Sequence, residues 1–144
     1  MVVPEDHVRK IERLAQNMFI CAPHVSQIAA IGAFNGKIEL DKNLLTYKRN
    51  RELLIKGLSE AGFKDIAPPD GAFYIYADIG SFSKDSLSFA KEMLETAGVA
   101  VTPGIDFDPI LGKTKLRFSY ARSTNEIKEG VKRIKNFMEK RNLI

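Results

Sequence analysis

One arginine stands out by its place in a pattern. The run Thr114 to Ala121 (TKLRFSYA) alternates, and strand side chains project to opposite faces in turn. Leu116, Phe118 and Tyr120 therefore share one face, while Lys115, Arg117 and Ser119 share the other. A guanidinium in mid-strand, opposite three large apolar residues, offers a planar fork suited to gripping a carboxylate through two parallel hydrogen bonds. The other chemistry-bearing residues are more scattered. Ser81-Phe82-Ser83-Lys84 places a lysine after two hydroxyls, but it precedes Asp85, a helix-cap residue, and reads as a solvated position. Asp106 and Asp108 lie in a loop containing Pro109 with no base nearby and read as turn formers. His7 and His24 lack the spacing of metal ligands, and Cys21 reads as a small buried apolar residue. No metal site and no phosphate-cradling glycine loop is expected.

The setting of Arg117 carries a resemblance. Three motifs follow one another: Pro69, Gly71, Ala72, Phe73 and Tyr74; then Val101-Thr102-Pro103-Gly104 with Phe107; then Leu116-Arg117-Phe118-Ser119-Tyr120-Ala121. In this order and spacing they resemble the C-terminal signature of the class I/II aminotransferases, fold-type-I enzymes dependent on pyridoxal 5′-phosphate. The resemblance covers essentially the whole chain. It implies that Arg117 binds the α-carboxylate of an amino-acid or 2-oxo-acid substrate, and that Thr102, Pro103 and Gly104 shape the active-site rim. It also implies a homodimer, and a large domain, absent from this sequence, that supplies the Schiff-base lysine and the cofactor-holding groups. Ser81 to Lys84 imitates that lysine's context, but it follows the Gly71–Tyr74 motif instead of preceding the whole segment. No catalytic or cofactor-binding residue is therefore expected here, and the chain alone should be silent. A C–S lyase of the same fold shares every motif, and a non-catalytic domain binding amino acids or a protein through the Arg117 face is the other open reading.

The elements that must position Arg117 follow from periodicity. Glu5 to Phe19 sets Val8, Ile11, Leu14, Ala15 and Met18 on one face of a helix, after a Met1–Pro4 segment that reads as the tail of a strand. His24 to Phe34 is a helix apolar nearly all round, needing cover on most sides; its Ser26-Gln27 and Ala29-Ala30 resemble an interface helix of the family. A long helix from about Leu40 to Ala61 carries YKRNRE, read as a solvated face or as a counterpart of the family's Tyr-x-x-Arg-Arg-Asp patch, and Gly62 ends it. Strands are expected at Phe63–Ile66, Phe73–Ile79, Val99–Thr102 and Thr114–Ala121. Asp85 caps a helix ended by Gly98, and Ser123 with Glu126 forms a capping box for the last helix, where Gly130 predicts close packing against the sheet. The fold class is α+β: a small mixed sheet of three to four strands covered by helices and preceded by a long helix, in an aminotransferase small-domain-like sandwich. Residues 1–144 read as one domain, with 1–36 as interface helices and 37–144 as the small domain proper; the opening looks like the middle of a larger protein.

Composition narrows the classes. At 44% hydrophobic, 144 residues can bury a core. The 22 basic residues exceed the 18 acidic ones by only four and form no block interleaved with aromatics, which argues against nucleic acid. No apolar run approaches the ~20 residues a membrane span needs, and a single cysteine fits a reducing, cytoplasmic setting.

Overall fold

In the computed structural model, which describes residues 2–144, five α-helices and three strands follow in the order α1 (Glu5–Met18), α2 (His24–Ala33), α3 (Lys37–Glu60), β1 (Tyr74–Asp78), α4 (Ser86–Ala97), β2 (Thr102–Pro103), β3 (Lys115–Ser119) and α5 (Thr124–Lys140). The chain divides into two compact units, Met1–Asp41 and Lys42–Ile144.

In the second unit β3 is the central strand, with order β1-β3-β2. The α+β class holds, but both pairings are antiparallel, so the sheet is not mixed. Tyr76 and Thr102 both stand opposite Arg117, one on each side of β3. The expected strand at Phe63–Ile66 contributes only a single bridge, Ile66 to Ala77. Val99 and Val101 do not join β2; they pack half-buried against the core as the chain leaves α4, which leaves an edge strand of two residues. Pro103 is tolerated there because an edge strand need not donate on both sides.

The alternation read from β3 sorts the sheet's two faces. Ile75, Ala77, Leu116 and Phe118 are buried against Phe89 and Met93 of α4, Ile134, Phe137 and Met138 of α5, and Leu54 and Leu58 of α3. Burying such apolar area contributes roughly 25 cal/mol per Å² and is what holds the sheet flat against its helices. Local signals set the helix ends. The Asp85 carboxylate accepts from the Leu87 and Ser88 amides, Gly98 closes α4 at φ 64°, and Ser123 with Glu126 forms the capping box of α5.

Two long-range anchors were not read from the local pattern. Asn50, inside YKRNRE, is fully buried, not solvated. Its amide donates to the carbonyls of Tyr120 (3.1 Å) and Arg122 (2.7 Å) and its oxygen accepts from Thr124 Oγ1 (2.8 Å), tying α3 to the end of β3 and the start of α5. The close-packed glycine is Gly57, where any Cβ would overlap Val131; Gly130 has open space around it.

In the first unit every described residue is exposed or half-buried. Leu14 and Met18 of α1 and Val25, Ile28 and Ile31 of α2 stand exposed, as amphipathic or wholly apolar helices do without a covering partner. Cys21 is exposed, contrary to the buried position expected, because its unit has no core of its own. Val2 to Pro4 form no strand, and Met1 lies outside the described residues. No described helix is long and apolar enough to cross a membrane.

Candidate functional site

The half-buried sheet face brings together Tyr74, Tyr76 and Asp78 from β1, Thr102 from β2, and Lys115 and Arg117 from β3. Alternation puts every one of these side chains on the side away from the helices. At one end Asp78 and Lys115 are register partners and close on each other at 2.9 Å, with Asp65 a second acid 3.7 Å from Lys115. Burial works against the Asp78 carboxylate, yet hydrogen bonds from Lys115, the Gly80 amide and Thr114 outweigh it and hold its pKa below the usual value. The Asp78 contact in turn raises the pKa of Lys115 against the opposing effect of burial. This end is a satisfied ion pair.

The other end is different. Arg117 Nη2 donates to Thr102 Oγ1 at 3.3 Å. Its guanidinium carbon lies 4.5 Å from the Phe107 ring centroid and 5.2 Å from that of Tyr74. Among the described residues no carboxylate lies within ion-pair distance of it. A guanidinium flanked by two rings, with one hydrogen bond made and its other donors uncommitted among the described residues, is suited to a planar anion brought from outside.

Between the two ends the loop from Gly104 to Thr114 folds back on itself in two short 3₁₀ turns, Gly104–Asp106 and Gly112–Thr114. A Cβ at Gly104 would lie 2.6 Å from both the Gly112 carbonyl and the Tyr76 hydroxyl, so only glycine permits this approach. Asp108 Oδ1 accepts from the amides of Leu111 (3.0 Å) and Ile110 (2.8 Å), which lowers its pKa against burial and bears out its reading as a turn former. Among the described residues the Tyr76 hydroxyl is buried without a hydrogen-bond partner; burial, then the Asp108 charge, raises its pKa.

The remaining sequence candidates lie elsewhere. Lys84 is exposed and donates to the Gly80 carbonyl at 2.7 Å. His7 and His24 are exposed. A cleft of about 400 Å³ between α4 and α5 contains none of the sheet-face groups, and its Arg141 is tied to Glu92 at 3.1 Å.

These residues do not fit pyridoxal phosphate. An amine that attacks a carbonyl must be neutral and held near the reacting group. Among the described residues Lys115 is the one lysine that is not exposed, and Asp78 keeps it charged. The geometry offers a carboxylate grip without a nucleophile.

Tyr74 and Phe107 carry motifs in the sequence but no site role follows from them there, and Tyr76 belongs to no motif. Phe107 falls within the second motif, but no local periodicity announces a ring on a loop that returns to a strand eight residues later.

Comparison with known proteins bears on this geometry. Residues 1–134 match the family model described as aminotransferase class I and II. The valine–pyruvate aminotransferase of Mycobacterium tuberculosis is 43% identical over 140 residues, covering 96% of this chain and 36% of that protein. The (5-formylfuran-3-yl)methyl phosphate transaminase of Methanocaldococcus jannaschii is 39% identical over 138 residues, 94% of this chain and 36% of that one. A crystal structure from Silicibacter pomeroyi superposes with a TM-score of 0.85 at 60% identity, over 96% of this chain and 38% of the other. The chain thus spans little more than a third of the length of the relatives it matches.

Proposed function

The chain belongs to the class I and II aminotransferase family, and on that premise we propose that it is the C-terminal part of an enzyme moving an amino group between an amino acid and a 2-oxo acid. Its contribution is recognition: Arg117 binds the α-carboxylate of the substrate, and Thr102, Pro103 and Gly104 form the rim beside it. The observation that carries this reading is the guanidinium of Arg117, flanked by rings and bonded to Thr102, without a carboxylate partner among the described residues.

The amine-transfer chemistry is supplied by pyridoxal phosphate, held by the rest of the enzyme. What this chain does is bind and orient. Two parallel N–H···O bonds fix both the position and the plane of a carboxylate, and so fix the direction of the bonds at the adjacent carbon. We place the complete enzyme in the cytoplasm as a homodimer. The exposed apolar residues of α1 and α2 support a covering partner, which the large domain and the second subunit would provide between them.

The test is Arg117→Lys in the complete enzyme. Lysine keeps the charge but not the fork, so kcat/KM for the amino acid should fall at least about tenfold, roughly 1.4 kcal/mol of transition-state binding. An unchanged kcat/KM would overturn the assignment.

A further inference from the structure

Phe107 contributes little to the core: it is 53% exposed, on a loop outside the hydrophobic cluster. Its ring is nevertheless the nearer of the two over Arg117, at 4.5 Å against 5.2 Å for Tyr74. The loop that delivers it is pinned at every turn. The Phe107 and Asp108 amides both donate to the Gly104 carbonyl (2.9 and 3.0 Å), and the Gly112 amide donates to the Asp108 carbonyl (2.9 Å). The Asp108 carboxylate holds the Ile110 and Leu111 amides, and the Gly104–Gly112 approach closes the base against the Tyr76 hydroxyl. So constrained a loop, ending in an exposed ring over a cation, is explained by what it does to the cation.

We propose that Phe107 is a positioning residue for carboxylate recognition: its ring holds the plane of the Arg117 guanidinium, so that the donors not taken by Thr102 meet the substrate carboxylate as a preset fork. Arginine otherwise loses rotamer freedom on binding, and a ring that fixes the plane beforehand reduces that loss. Tyr74 supports the guanidinium from the sheet and Phe107 from the loop. This inference rests on the reading of Arg117 as the carboxylate ligand.

The experiment is a double-mutant cycle in the complete enzyme with Phe107→Leu, Arg117→Lys and both together, plus Phe107→Tyr. Phe107→Leu should raise KM for the amino acid about three- to tenfold with kcat little changed. Phe107→Tyr, which keeps a ring, should restore the parent KM. The double variant should be no worse than Arg117→Lys alone, because the ring acts only through the arginine. If Arg117→Lys is impaired but Phe107→Leu leaves KM unchanged, or acts by the same factor in both backgrounds, or Phe107→Tyr behaves like leucine, the positioning role fails and the reading of Arg117 stands. If Arg117→Lys is itself unimpaired, the reading fails and takes this inference with it.

Discussion

Lys115 and Arg117 stand two residues apart on one face of one strand, and they have opposite fates. Lys115 meets its register partner Asp78 at 2.9 Å, with Asp65 beside it, and is consumed by the fold. Arg117 faces Tyr76 on one side and Thr102 on the other, neither an acid, and makes a single side-chain hydrogen bond among the described residues. The difference is not exposure, since both are half-buried. It lies in what the neighbouring strands place opposite. A cation paired inside the fold supports structure, whereas one surrounded by rings and a hydroxyl keeps its donors for a ligand.

The most disruptive way to break the contrast is through the loop at the open end. Gly104→Ala puts a Cβ into the Gly112 carbonyl and the Tyr76 hydroxyl, and should cost about 1–3 kcal/mol of overpacking while displacing Phe107 from Arg117. Thermal unfolding and KM measured on the same sample should both change. A variant with parent stability and parent KM would mean the loop is not locked as described.

At the closed end, Asp78→Asn leaves Lys115 without its nearest partner. Both side chains are about one quarter exposed, at 27% and 25%, so the loss should be about 1–2 kcal/mol, below that for a fully buried pair. Hydrogen exchange of the β1–β3 amides in the complete protein would read it as local opening. The pH dependence has a definite sign. Asp78 has a depressed folded pKa, so its contribution is present above the ordinary aspartate value and is lost as pH falls through the folded one. Lys115 has a raised folded pKa, so its contribution is present below the ordinary lysine value and is lost as pH rises through the folded one. Protection of these amides should thus be flat through neutral pH and fall on both sides, and Asp78→Asn should flatten the acid limb. An acid limb that survives in Asp78→Asn would assign it to another group.

The smallest effect is expected at the residue whose sequence context most imitates a cofactor site. Lys84→Gln should change stability by no more than about 0.5 kcal/mol, as an exposed surface substitution does. Borohydride trapping of the chain with pyridoxal phosphate, read by peptide mass spectrometry, should leave Lys84 without a stoichiometric adduct. A full-occupancy adduct there would contradict the conclusion that these residues do not fit the cofactor.

Which parts of this were legible in the sequence follows from the range of the forces involved. The alternation of β3, the caps at Asp85 and Ser123 and the stop at Gly98 depend on contacts within a few residues, and they read correctly. Arg117 was visible because alternation sets it opposite Leu116 and Phe118. Asn50 was not, because its partners are Tyr120, Arg122 and Thr124, some 70 or more residues away, and its neighbours Lys48, Arg49, Arg51 and Glu52 make the helix look solvated. Gly130 misled because a glycine inside a helix permits close approach without requiring it; Gly57 is where Val131 uses the space. The antiparallel direction of both pairings is not in the sequence pattern, because side chains alternate alike in parallel and antiparallel strands. Phe107 was hidden for a different reason: Arg117 is only ten residues away, but the path of a loop, which has no periodicity, brings the two together.

The central claim is that the two cations differ in role, and it is tested most directly by measuring kcat/KM and thermal stability side by side for Arg117→Lys and Lys115→Met in the complete enzyme. The account predicts that Arg117→Lys loses at least about tenfold in kcat/KM with stability nearly intact, while Lys115→Met loses stability and keeps its kcat/KM. The reverse pattern, or equal loss of kcat/KM in both, would contradict it.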